Sequence, residues 1–276
     1  MPEPENNFIP APSIDLAEPR PASPAAVAPV WHTVVLIVGV LAVSATGPSR
    51  INAHQGPIHR IATYATTAAA ELIMLGWVLL GLRLRKTSFR SLLGANSLRV
   101  RSIAIDLGIA FLFWIGSLMV LGTVALAWAG IEAAITHRPL IGANGQPLPP
   151  DPAQKRSVET LAQVAPSNGE EIGAWILLCA IAGFVEETVF RGYLQRQFIA
   201  WGRGSAAVGV VFSALMFGAA HGYEGARAMF LIAVFGALFS LLAIFRRSLR
   251  PGMIAHFFQD FFVGLFLAFA TAHHLI

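Results

Sequence analysis

Charge is the scarcest ingredient of this chain. Only 12% of its 276 residues are Asp, Glu, Lys or Arg, where an ordinary soluble domain carries about 25%. Hydrophobic residues make up 55%, so the composition points to a multi-pass membrane protein rather than a soluble domain. Cysteine is almost missing. The single Cys179 excludes an intramolecular disulfide and a cysteine-rich metal site. No HExxH zinc helix and no GxSxG nucleophile elbow occurs. The N-terminus lacks the basic start of a signal peptide, so a retained first span is expected. The net charge of +4 sits in connections between apolar runs, where anionic membrane lipid is the natural partner and no nucleic acid is needed.

What the chain has in quantity is apolar sequence. Runs near 31–47, 61–82, 103–134, 172–192, 205–222, 227–246 and 253–275 approach the ~20 residues a spanning helix needs. The expected fold is all-α, a multi-pass transmembrane helical bundle of about seven spans. The third run exceeds one bilayer crossing and must tilt, protrude or break at Gly116 or Gly122. Four parts follow: a proline-rich disordered tail over 1–30, N-terminal transmembrane helices over 31–135, a flexible loop over 136–171, and a catalytic transmembrane domain over 172–276. Arg83, Arg85, Lys86, Arg90, Arg99 and Arg101 fall in one connection, Arg196 and Arg203 in another, and Arg246, Arg247 and Arg250 in a third. The positive-inside rule places these, and the N-terminus, in the cytoplasm of a cell taken to be bacterial.

Against this background the string FVEETVFRG stands out. Glu186, Glu187 and Arg191 lie within six positions of the fourth apolar run. Each costs about 2.5–3.5 kcal/mol at mid-membrane, so such groups normally face a protein interior and have a task. Glu187 and Arg191 are four apart and can pair on one helix face. Glu186 is turned about 100° from Glu187. A structural ion pair with an interfacial glutamate would explain these charges alone. The fifth run adds FGAAH, with Phe217 and His221 one turn apart, and the seventh adds HFFQD, with His256 and Asp260 likewise. Two histidines and an aspartate, each inside a predicted span, turn the balance towards a polar cavity between spans four, five and seven. Glu71 and Asp106 are further intramembrane acids; Asp106 shows no evident partner, and Glu71 reads as a helix-contact residue with a place on the cavity wall as the alternative.

The order EETVFRG, FGAAH, HFFQD resembles the three-motif signature of the CAAX-protease and bacteriocin-processing family of intramembrane proteases. That signature is Glu-Glu-x-x-x-Arg, Phe-x-x-x-His and His-x-x-x-Asn or Asp, and Glu186, Glu187, Arg191, Phe217, His221, His256 and Asp260 fill it. The resemblance covers roughly 170–275. At its last position Asp260 stands where prenyl-protein-processing members carry Asn. The resemblance implies an intramembrane endopeptidase of glutamate type without a cofactor, acting on a peptide or protein substrate, membrane-associated substrates included. Glu186 would be the general base and His221 would hold the water and help pass a proton to the leaving amine. His256 and Asp260 would face the scissile carbonyl, with Glu187, Arg191 and Phe217 in support. Two alternatives remain open: a zinc enzyme using Glu186, His221, His256 and Asp260, and a proton-coupled membrane transporter. One conflict is visible in advance. His221 lies about 24 Å along its helix from Ser205, whereas His256 lies only about 8 Å from Pro251.

Overall fold

The computed structural model describes residues 25–53, 59–94, 99–137, 141 and 152–276. The tail over 1–24, His54 and most of the 138–151 stretch lie outside the described residues. Among the described residues there is no strand, only an isolated bridge between Gly94 and Ser248.

Each expected span is a helix. They are α1 (Val30–Ala53), α2 (Arg60–Leu84), the short α3 (Phe89–Leu93) and α4 (Val100–Thr136). After α5 (Pro152–Gln163) comes α6 (Gly169–Glu186), which runs through a π-helical segment (Glu187–Leu194) into α7 (Gln195–Trp201). Then follow α8 (Ala206–Ala220), a 3-10 turn (Gly222–Glu224), α9 (Ala226–Arg246) and α10 (Arg250–Ala272). Five of these rods are long and apolar enough to cross a membrane: α2, α4, the continuous Gly169–Trp201, α9 and α10. Val30–Ala45 of α1 and all of α8 are apolar but shorter.

Local chemistry sets the ends. The Asn168 side chain accepts from Glu171 N at 2.9 Å, and Glu170 and Glu171 place negative charge at the N-terminus of α6. Ser205 caps α8 by accepting from Val208 N, and Pro251 occupies the first turn of α10, where a missing N–H costs nothing.

The structure refines several expectations. α4 does not break at its glycines: its 37 residues form one rod about 55 Å long, which must tilt or protrude from a hydrocarbon layer of about 30 Å. The stretch read as a flexible loop contains α5. Residues at the end of the supposed loose tail are fastened, because Val27 N and Ala28 N donate to Gln197 Oε1 and Gln197 Nε2 donates back to Ala28 O. Asp106 has two partners, Arg246 at 3.0 Å and Arg250.

That last cluster marks one end of the bundle. Leu249 N donates to Leu93 O, and Arg196 donates to Leu92 O, so the three basic connections converge there.

The core surrounds the motif segment. α2 and α10 both pack on α6, α8 packs on α9, and every residue from Glu187 to Leu194 is buried. Gly183 makes the α6–α10 contact possible. A Cβ there would stand 2.9 Å from Met253 O and 3.2 Å from Phe257 N, inside backbone that cannot yield. Gly183→Val is therefore expected to push α10 from α6 and to cost activity about 10²-fold, as a displacement of about 1 Å does in a built site. Gly108→Val in α4, where a Cβ meets nothing within 4 Å, is the control. Equal turnover of the two purified variants would show that this contact does not set the site.

Candidate active site

The site is built around one imidazole. His256, in the second turn of α10, is buried. Its Nδ1 lies 3.1 Å from Glu187 Oε1, and its Nε2 lies 3.6 Å from both Glu186 Oε2 and Asp260 Oδ2. A carboxylate only accepts, so Nδ1 carries the hydrogen that Glu187 receives. Three acids thus surround one ring.

This changes the expected role of Glu187. Sequence spacing makes Glu187 the partner of Arg191 and turns Glu186 elsewhere. The pair is present, with Arg191 Nη1 donating to Glu187 Oε1 at 2.8 Å. Yet the same Oε1 also meets His256, and the two consecutive glutamates approach the two nitrogens of one ring. The backbone is π-helical from Glu187 onward, a local widening often found at functional sites and invisible to i, i+4 counting.

Arg191 is fully enclosed. Its guanidinium lies over the Phe217 ring at 4.1 Å and near those of Phe239 and Phe190, and Nη2 donates to Gly236 O at 3.3 Å. Cation–π contacts are strongest when desolvated, worth about 2 kcal/mol or more. Phe217 is therefore the lid on the arginine as well as a neighbour of both histidines: its ring centroid is 5.0 Å from that of His221 and 5.9 Å from that of His256.

His221 caps the end of α8. Its Nδ1 is 2.9 Å from Phe217 O, and since a carbonyl only accepts, Nδ1 again holds a hydrogen and Nε2 is left for another partner. The depth conflict resolves through chain geometry. The π segment of 8 residues and α7 of 7 residues carry the chain past Glu186, and α8 returns over 15 residues. Ser213 donates to Phe190 O at 2.7 Å along this hairpin, so the tip of α8 comes back to the level of the glutamates. α8 also stops at Ala220 instead of continuing to residue 222.

The structure thus gathers Glu186, Glu187, Arg191, His256 and Asp260 in direct contact, with His221 joined to them through Phe217. Among the described residues no ion pair joins His221 to an acid, and no three His, Cys, Asp or Glu side chains are arranged to hold a metal ion. Both imidazoles are held through Nδ1, His256 by Glu187 and His221 by the carbonyl of its own helix, which leaves Nε2 of each ring as the nitrogen that can meet water, substrate or a metal.

Residues beyond the motifs complete the walls. Tyr223 and Glu224 follow His221, with the Tyr223 ring 6.0 Å from the imidazole. Burial pushes the Glu224 carboxyl above the usual carboxylate range, and the neighbouring His221 opposes part of that rise. Ser44 of α1 holds this turn by accepting from Gly222 N and donating to Ala219 O. On the other side Tyr193, inside the π segment, lies 2.8 Å from both His32 Nδ1 and Thr33 Oγ1, while His32 Nε2 donates to Trp77 O. His32 has no motif around it, and its uneven place in an apolar run was the only signal. Glu71 of α2 also reaches the site, close enough to interact electrostatically with Glu186, His256 and Asp260. That position suits the cavity-wall alternative as well as a helix contact.

Residues 168–262 match the family model described as Type II CAAX prenyl endopeptidase Rce1-like, a range from the cap of α6 to the middle of α10 that leaves α1 to α5 outside. No curated protein and no solved structure matches the chain. Both glutamates, both histidines and Asp260 fall within the matched range. The segment 168–262 is therefore similar to the Rce1-like CAAX prenyl endopeptidases, the membrane proteases that its three motifs resemble.

Proposed function

We propose that this protein is an intramembrane endopeptidase in which Glu186 activates a water molecule for attack on a peptide carbonyl. One observation carries the reading. Glu186 Oε2 is buried without a hydrogen-bond partner while His256 Nε2 stands 3.6 Å away. A buried carboxylate oxygen left unsatisfied is costly, and a bound water is the simplest group to satisfy it. His221 Nε2, kept free by the bond from Nδ1 to Phe217, accepts from the same water.

The chemistry then runs on the chain's own groups. Glu186 takes the water's proton as its oxygen bonds to the carbonyl carbon. His256, held by Glu187 through Nδ1, presents an N–H at Nε2 when protonated and stabilises the oxyanion. Asp260 fixes that ring from the other side. Glu186 is left holding the proton that the reaction must return to the leaving nitrogen. The converging basic connections of α3, α7 and α10 support reading that end as cytoplasmic in a cell membrane, with the N-terminus on the same side as the positive-inside rule expects.

The family's printed name makes a prenylated peptide ending in a CAAX tetrapeptide the first substrate to test. Purified protein in detergent or liposomes is expected to release the C-terminal tripeptide. Proton or solute flux without any cleavage would favour the transporter instead. A metal-free reaction predicts that 1,10-phenanthroline or EDTA leaves turnover unchanged. Loss of activity with chelator, restored by added zinc, would overturn the glutamate-type chemistry.

A further inference from the structure

Glu71 sits on the inward stripe of α2. Tyr64, Ala68, Glu71, Leu75, Val78 and Leu82 recur at alternating four- and three-residue steps and are buried or half-buried, whereas Ala69, Ala70, Leu72 and Ile73 are exposed. This is the face that a helix packs against a neighbour, and the neighbour is α6. Two contacts fix the register. The Tyr64 ring lies 5.4 Å from that of Trp175 in α6, and Trp77 accepts from His32, which holds Tyr193 of the π segment. Glu71 lies between these points on α2, as Glu186 does on the opposing rod.

Both glutamates carry the same defect. Glu71 Oε2 and Glu186 Oε2 are each buried and without a hydrogen-bond partner. The charged groups facing Glu71 are Glu186 from α6 and His256 and Asp260 from α10. Of these only His256 can carry positive charge, and it already faces three other acids, Glu186, Glu187 and Asp260. Two carboxyl groups that share such a site divide the work, one ionised and the other carrying a hydrogen it can donate.

We propose that Glu71 is a further catalytic residue, the acid that delivers a proton to the leaving nitrogen. This rests on the peptidase reading of Glu186. The water oxygen bonds to the carbonyl carbon as one water proton moves to Glu186. The carbon–nitrogen bond breaks as the Glu71 carboxyl gives its hydrogen to nitrogen, and the amine departs. The proton on Glu186 then passes to Glu71, which restores both groups. One water is consumed, and one acid and one amine are formed.

The test uses the purified full-length protein and two probes: a farnesylated CAAX peptide, and its analogue with an ester at the scissile bond. An amide nitrogen cannot leave without a proton, whereas an ester oxygen needs far less help. Glu71→Gln is expected to lower kcat on the amide by about 10²-fold or more with little change in KM, and to cleave the ester at near the wild-type rate. Glu71→Asp should recover part of the amide rate. Wild-type amide turnover by Glu71→Gln, or equal losses on amide and ester, overturns the assignment. Glu186→Gln, by contrast, should fail on both probes. A wild-type protein that cleaves neither removes the peptidase reading and this inference with it.

Discussion

Glu186→Gln is expected to lower kcat on the amide peptide by about 10⁴-fold, the upper part of what a positioned base contributes. The substitution is nearly isosteric. It replaces an acceptor-only carboxylate by an amide that cannot take a proton, and it leaves the Arg191–Glu187–His256 chain untouched. Thermal unfolding should therefore stay close to wild type. Loss of a base without loss of fold is the signature to look for, and turnover within tenfold of wild type would remove Glu186 from the mechanism.

The second large effect concerns stability. Arg191→Met takes away the guanidinium that, among the described residues, is the only one in contact with Glu187, whose side chain is 1% exposed. Breaking one side of a buried pair strands the other charge, at a cost of about 3–5 kcal/mol. The expected result is a melting temperature lower by roughly 6–20 °C, with activity lost as well. Glu187→Gln combined with Arg191→Met removes the stranded charge and should recover much of the melting temperature. It should not recover activity, because a neutral amide holds His256 less firmly. If the single variant melts like wild type, the pair is not what fixes the π segment.

The sequence made the spans legible because apolar length is a local property, and each apolar run is a helix. The motif residues were legible for a related reason: charge in such a run is rare enough to be conspicuous. What could not be read was direction. Counting i, i+4 assumes a regular α-helix, and the π-helical backbone from Glu187 to Leu194 brings both glutamates to one ring. Asp106 looked solitary since its partners, Arg246 and Arg250, lie about 140 positions away. Glu71 shared that fate. Its neighbours come from α6 and α10, and no pattern within α2 names them. α5 escaped notice because a polar helix among prolines carries little apolar signal.

The seat of Tyr193 on His32 and Thr33 bears on modularity. The portion that matches the family model holds every motif, yet its tyrosine hydroxyl and the turn after His221 are moored to α1, and its Gln197 to the residues just before that helix. A chimera grafting this portion onto foreign helices would inherit the reactive groups without their moorings. Descent with a changed front half must then carry along substitutes for those few anchors, so the first helix evolves under the discipline of the chemistry it never touches.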